Sequence, residues 1–149
     1  MIIRRAGKED LSALARMELE HPGFPAWGES GLAAELGKKF SVTLVAEREG
    51  RLAGFINFWI LQPQVQLNSV LVRVSALKSG VASALLAKMF EYAGKNACAE
   101  IDLEVNERNL PAIRLYEEYD FKVVGRRPKF YNNTDDAVLM RKTLPTEKQ

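Results

Sequence analysis

One cysteine and one histidine are all that the 149-residue chain contains of either type. A lone Cys98 excludes an intramolecular disulfide, and with His21 as the single imidazole no Cys/His zinc set can be assembled. The carboxylates show no ligand spacing either, so no metal is expected. Cys98 and His21 are far apart in sequence, so Cys98 reads as a small structural residue rather than an activated nucleophile. Charge of one sign is also lacking: 21 Lys and Arg face 19 Asp and Glu, a net of +2. That balance gives no reason to expect a nucleic-acid or membrane-surface partner. No apolar run approaches the ~20 residues of a membrane span. The opening Met1-Ile2-Ile3-Arg4-Arg5 has no apolar signal region, so the expected location is cytoplasmic. Repeats, low-complexity tracts and linkers are missing, and 1–149 reads as a single domain.

What is present is a regular succession of apolar patterns. Ile2 to Arg5 reads as a strand, followed by a helix from about Lys8 to Glu20 with Leu11, Leu14, Ala15 and Leu19 on its apolar face. His21-Pro22-Gly23-Phe24-Pro25-Ala26-Trp27 must be a loop. A short helix is expected from Ser30 as N-cap, with Leu32, Ala33 and Leu36 inward. Ser41–Glu47 and Leu52–Leu61 form a hairpin around Glu49-Gly50, and Val65–Val72 is the next strand. From Gly80 the period becomes helical through Val81, Leu85, Met89 and Tyr92, and Glu100–Val105 returns to strand. Asn109 caps a helix whose apolar side carries Ala112, Leu115, Tyr116 and Tyr119, and strands near Phe121–Arg126 and Ala137–Lys142 close the chain. The order β-α-α-β-β-β-α-β-α-β-β implies an α/β fold, a mixed sheet with helices on both faces.

Two segments carry chemistry. In the first, strand Val70-Leu71-Val72 runs through Arg73-Val74-Ser75-Ala76-Leu77-Lys78-Ser79 to Gly80-Val81-Ala82-Ser83 at a helix start. Unpaired N–H groups and the dipole of a helix N-terminus favour an anion, and glycine and alanine allow close approach of a pyrophosphate. Lys78 adds a positive charge. The spacing is neither that of a Walker loop nor of a three-glycine dinucleotide fingerprint. Packing alone is the other reading of Gly80-Val81-Ala82.

The second segment runs from Leu103 to Phe121. Leu103, Val105, Asn109, Ala112, Leu115, Tyr116 and Phe121 stand at the named positions of the motif Leu-x-Val-x-x-x-Asn-x-x-Ala-x-x-Leu-Tyr-x-x-x-x-Phe of the GNAT acetyltransferases. Gly80-Val81-Ala82 resembles the end of that family's Gln/Arg-x-x-Gly-x-Gly/Ala loop, although Leu77 replaces its first residue and Val74 stands where the family often has proline. The resemblance extends to the bacterial ribosomal-protein alanine N-acetyltransferases. Phe24-Pro25-Ala26-Trp27 resembles their Phe-Pro-Trp loop, and Arg126-Arg127-Pro128-Lys129-Phe130-Tyr131 resembles their Arg-Arg-x-Tyr-Tyr segment.

The resemblance implies a GNAT fold with a splayed strand pair, acetyl-CoA as co-substrate, and a primary amine as acceptor, most specifically the N-terminus of a small-subunit ribosomal protein. It implies that Val70, Leu71 and Val72 line the thioester, that Lys78, Ser79, Gly80, Val81, Ala82 and Ser83 hold the pyrophosphate, and that Asn109 lies by the pantetheine arm. Glu104 would be the general base and Tyr116 the acid for the thiolate, with Trp27 and Tyr131 contacting the acceptor. Residue by residue, the alternative for Glu104 is an outward strand carboxylate, and for Trp27 and Tyr131 partly buried packing. Glu20, Glu29 and Glu107 read as solvated surface or as the lining of a groove for a basic peptide. Ordinary pKa values of ~7.8 for an α-amine and ~10.4 for lysine leave the α-amine roughly 400-fold more neutral at neutral pH, which favours a peptide N-terminus. Small-molecule amines, protein lysines and a CoA-deficient interaction module are the rival readings.

Overall fold

Strands and helices follow one another in the expected order, and one mixed sheet collects all the strands. The structure, a computed structural model, describes residues 1–131 and 134–145. Among them are strands β1 (Ile2–Arg5), β2 (Ser41–Arg48), β3 (Arg51–Leu61), β4 (Gln64–Val72), β5 (Glu100–Asn106), β6 (Lys122–Tyr131) and β7 (Asp135–Thr143). Helices α1 (Leu11–Leu19), α2 (Gly28–Leu36), α3 (Val81–Lys95) and α4 (Leu110–Glu118) connect them. The sheet order is β1-β2-β3-β4-β5-β7-β6. β4 and β5 are parallel, which requires the crossover that α3 supplies, and the other neighbours are antiparallel.

Strand alternation sorts the side chains onto two faces. Val42, Leu44, Ile56, Phe58, Val65, Leu67, Ile101, Leu103 and Val105 face α3 and α4 and bury Leu85, Leu86, Met89 and Tyr116 in the larger core. On the opposite face Val45, Phe55 and Leu71 meet Leu14 and Met17 of α1 and Leu32 of α2. At Gly54 an added Cβ would lie 2.7 Å from the Leu71 carbonyl oxygen and 2.9 Å from Val81 Cγ1. The missing side chain thus lets the start of α3 press onto β3 and β4.

Three sequence expectations need correction. The helix placed at Lys8–Glu20 begins at Leu11, because Lys8–Asp10 is a 3-10 turn in which Asp10 accepts the Gly7 N–H and two Arg4 N–H groups. Leu19, assigned to the apolar face, is 76% exposed, and Met17 and Glu18 are buried instead. The next helix starts at Gly28, not after Ser30. Its first turn is satisfied from α1: Glu18 accepts the N–H groups of Trp27 and Gly28 at 3.0 and 2.9 Å, Ala33 faces solvent, and Glu35 is buried. Finally, β6 runs on through Pro128 to Tyr131, which an edge strand permits because proline's missing donor faces no neighbour.

Candidate active site

The strands part in the middle of the sheet. β4 and β5 are paired over four positions, from Gln64↔Glu100 to Leu67↔Leu103. Beyond these, β4 continues only with β3 and β5 only with β7. The divergence begins at a β-bulge: Phe58 pairs with Leu67 and Asn57 with Ser69, so Asn68 is an extra residue. Such an insertion bends its strand and sharpens the twist. Arg73 donates its N–H to Ala53 O at 2.7 Å, so alternation turns the backbone groups of Val70 and Val72 away from β3 and into the gap. Of the three strand residues singled out in the sequence, Leu71 differs: its backbone serves β3 and its side chain belongs to the smaller core.

At its upper end β4 enters a turn over Val74–Ala76, passes Lys78 and Gly80 at positive φ (61° and 86°), and becomes α3. The first intrahelical bond is Ala84 N–H to Gly80 O, which leaves the N–H groups of Val81, Ala82 and Ser83 ahead of the helical ladder. An anionic group fits there, because Gly80 has open space where a Cβ would sit and Lys78 is exposed beside it. Two residues at the end of α1 hold this loop, although the sequence reads one of them, Glu20, as solvated surface or groove lining. Glu20 accepts the Val74 N–H at 2.8 Å, and His21 Nε2 donates to Val72 O at 2.8 Å.

Side chains reach the gap from both faces. Glu104 follows Leu103 on β5 and points away from the larger core, with its Oε2 3.0 Å from Arg127 Nη2 on β6. Arg127 also lies over the Phe130 ring, which makes an edge contact with Tyr131. Tyr116 comes from α4 on the other face, 8% exposed and tilted against Phe121. Burial first, and the neighbouring Tyr131 second, push its phenol well above the usual range. Tyr131 is raised by burial and then by the negative charge of Glu104. Glu104 thus acts on Tyr131, and Tyr131 on Tyr116, across the parted strands.

The remaining candidates are more peripheral. Asn109 caps α4 by accepting the Ala112 N–H at 3.3 Å and is exposed at the end of β5. Trp27 is half-buried and packs with Phe24 on the smaller core. Glu107 is occupied by Arg126 and the Asp136 N–H, and Glu29 is exposed. Cys98 is buried, which raises its thiol pKa and suits a packing role. Among the described residues no three His, Cys, Asp or Glu side chains cluster as metal ligands, and no helix is long and apolar enough to cross a membrane.

Comparison with known proteins places this geometry. The ribosomal protein bS18-alanine N-acetyltransferase of Escherichia coli K12 is 28% identical over 134 residues, covering 88% of this chain and 89% of its own. The crystal structure of the Escherichia coli ribosomal-protein-S18-alanine N-acetyltransferase superposes with a TM-score of 0.88 at 24% identity, covering 99% of this chain and 97% of that one. Nourseothricin acetyltransferase shares the fold at a TM-score of 0.80 and 20% identity, covering 97% and 98%. Residues 9–121 match the acetyltransferase (GNAT) family. A mixed sheet parted at β4 and β5, an anion-receptive start to α3, and this match over most of the chain establish the protein as a member of the GNAT acetyltransferases, enzymes that use acetyl-CoA.

Proposed function

We propose that the protein acetylates the N-terminal α-amine of another protein, with a ribosomal protein as the first acceptor to test. The observation that carries this reading is the gap between β4 and β5, lined by backbone groups on one edge and by Glu104 on the other. Acetyl-CoA supplies the activated acetyl group as a thioester. The N–H groups at Val81, Ala82 and Ser83, with Lys78 and Ser79 beside them, are suited to its pyrophosphate, and Asn109 to its pantetheine arm. A backbone N–H from Val70 or Val72 can hydrogen-bond the thioester oxygen as negative charge gathers on it.

Glu104 takes the proton of the attacking amine. Arg127 engages Oε2, which leaves Oε1 to accept it. As the new N–C bond forms and the C–S bond breaks, Tyr116 gives its proton to the departing sulfur. Its raised pKa keeps that proton in place until it is needed. Trp27 and Tyr131 would flank the incoming peptide. Kinship with the Escherichia coli enzyme supports a peptide N-terminus, and a lone buried thiol suits a cytoplasmic setting.

The test is thiol release from acetyl-CoA with a hexapeptide beginning Ala-Arg-Tyr-Phe, compared with its N-terminally blocked copy. Only the free peptide should turn over, and Glu104→Gln should lower kcat/KM by about 10²–10⁴-fold. Equal turnover of the blocked peptide, or an unimpaired variant, refutes the assignment; turnover of amino sugars or polyamines in its place makes the enzyme a small-molecule acetyltransferase.

A further inference from the structure

A chain of hydrogen bonds with one direction crosses the sheet under α2 and ends at the bulge. Glu35, buried at the end of α2, accepts the Ser41 hydroxyl at 2.6 Å, Trp59 Nε1 at 2.7 Å and Lys38 Nζ at 2.5 Å. Burial raises its pKa, but these donors outweigh burial and the net shift is downward, so the carboxylate stays ionised and can only accept. Ser41, having donated its proton to Glu35, accepts from Asn57 Nδ2 at 2.9 Å. Asn57 is 0% exposed, and the same Nδ2 lies 3.3 Å from the Val42 carbonyl oxygen and 2.9 Å from Thr43 Oγ1.

A carbonyl cannot donate, so the Asn57 amide has one possible orientation, with Oδ1 turned toward β4. That oxygen accepts Asn68 Nδ2 at 2.9 Å. The orientation of Asn68 is thereby set as well: its nitrogen is consumed inward and its Oδ1 is the free end. Among the described residues no hydrogen bond to that oxygen is formed. Asn68 is the extra residue of the bulge, one step beyond the last β4–β5 pair, Leu67↔Leu103. In the same register it stands across the gap from Glu104, and both side chains lie on the face opposite the larger core. A buried charge polarises each bond in the chain and strengthens the terminal acceptor.

We propose that Asn68 Oδ1 is a binding group for the attacking amine, taking one of its N–H bonds while Glu104 takes the proton that is lost. Two acceptors on opposite edges of the gap would fix the direction of the nitrogen lone pair, with Asn57 and Ser41 as positioning residues behind Asn68. This rests on the proposed acetyl transfer to an amine, although not on which amine is used.

The experiment measures acceptor KM, kcat and acetyl-CoA affinity for the wild type, Asn68→Ala and Ser41→Ala. Asn68→Ala should raise the KM of the hexapeptide about ten-fold or more and leave calorimetric acetyl-CoA affinity within two-fold. Ser41→Ala, which interrupts the chain but leaves Asn68 in place, should raise KM by a smaller factor. An unchanged KM in Asn68→Ala overturns the proposal, as does a parallel fall in acetyl-CoA affinity, which would make Asn68 a support of the bulge alone. Should the wild type leave the peptide untouched, the N-terminal reading fails separately. The same KM comparison then decides Asn68 with whichever of spermidine, an aminoglycoside or an Nα-blocked lysine turns over.

Discussion

The two faces of the sheet are built on different principles. Against α3 and α4 the buried surface is almost wholly apolar, with Phe58, Leu85, Leu86, Met89 and Ile101 inaccessible to solvent. Against α1 and α2 the apolar cluster is small, and every buried polar or charged side chain among the described residues is found there: Asp10, Glu18, Glu35, Ser41, Thr43, Asn57 and Ser69. None of the buried side-chain polar atoms among the described residues lacks a partner. The first face supplies stability through area removed from water. The second uses its buried groups to fix loops, the bulge and a helix start at defined positions, which is what an acceptor site requires.

The difference can be tested by attacking each face in turn. Phe58→Ala on the apolar face should destabilise folding by about 3–5 kcal/mol, read by denaturant unfolding, with the acceptor KM of the folded fraction unchanged. A KM shift as large as that of Asn68→Ala would erase the distinction. On the polar face, Glu18→Ala removes the acceptor at the start of α2 and should cost about 0.5–2 kcal/mol. It should also hasten proteolytic cleavage between residues 20 and 28, a change that Phe58→Ala should not produce out of proportion to its global destabilisation.

The smallest effect concerns pH, and the two faces should fail at opposite ends. Tyr116, on the apolar face, has a folded-state pKa raised above the ordinary phenol value of 10.0. The unfolded chain then releases its proton first, so this contribution is intact below pH 10 and is lost as pH rises through the folded value. Asp10, on the polar face, is lowered below 3.8, chiefly by the Arg4 guanidinium, so its contribution is present above pH 3.8 and disappears as pH falls through the folded value. Tyr116→Phe should flatten the alkaline slope alone, and Asp10→Asn the acid slope alone, in urea titrations at stepped pH.

The same division governs how much of the molecule is legible in its sequence. β5, with its alternating burial, and the capped α4 after it can be read because apolar period, cap and motif agree there. Periodicity misreads α1 at Leu19 because it equates burial with apolarity, whereas Glu18 is buried and Leu19 is not. Ser30 has the chemistry of an N-cap, yet a carboxylate ten residues before Gly28 fills that role, a tertiary contact that no local pattern records. Motif positions lead to Glu104, Tyr116, Tyr131 and the start of α3. Glu20, His21 and Asn68 carry no motif, and only the folded geometry brings them to the gap; Arg127 lies in the Arg-Arg segment, but its pairing with Glu104 is not written there.

The short link from α1 has a consequence for exchanging acceptor preference between relatives. Glu20 and His21 belong by sequence to the segment that leads to Trp27, yet their hydrogen bonds end on Val74 and Val72, at the upper end of β4. A segment transplanted from a relative at positions 22–27 would inherit these two tethers and keep its footing, whereas one transplanted from position 20 onward would sever them. The boundary of a workable graft on this scaffold lies after His21, one residue inside what the sequence marks as loop.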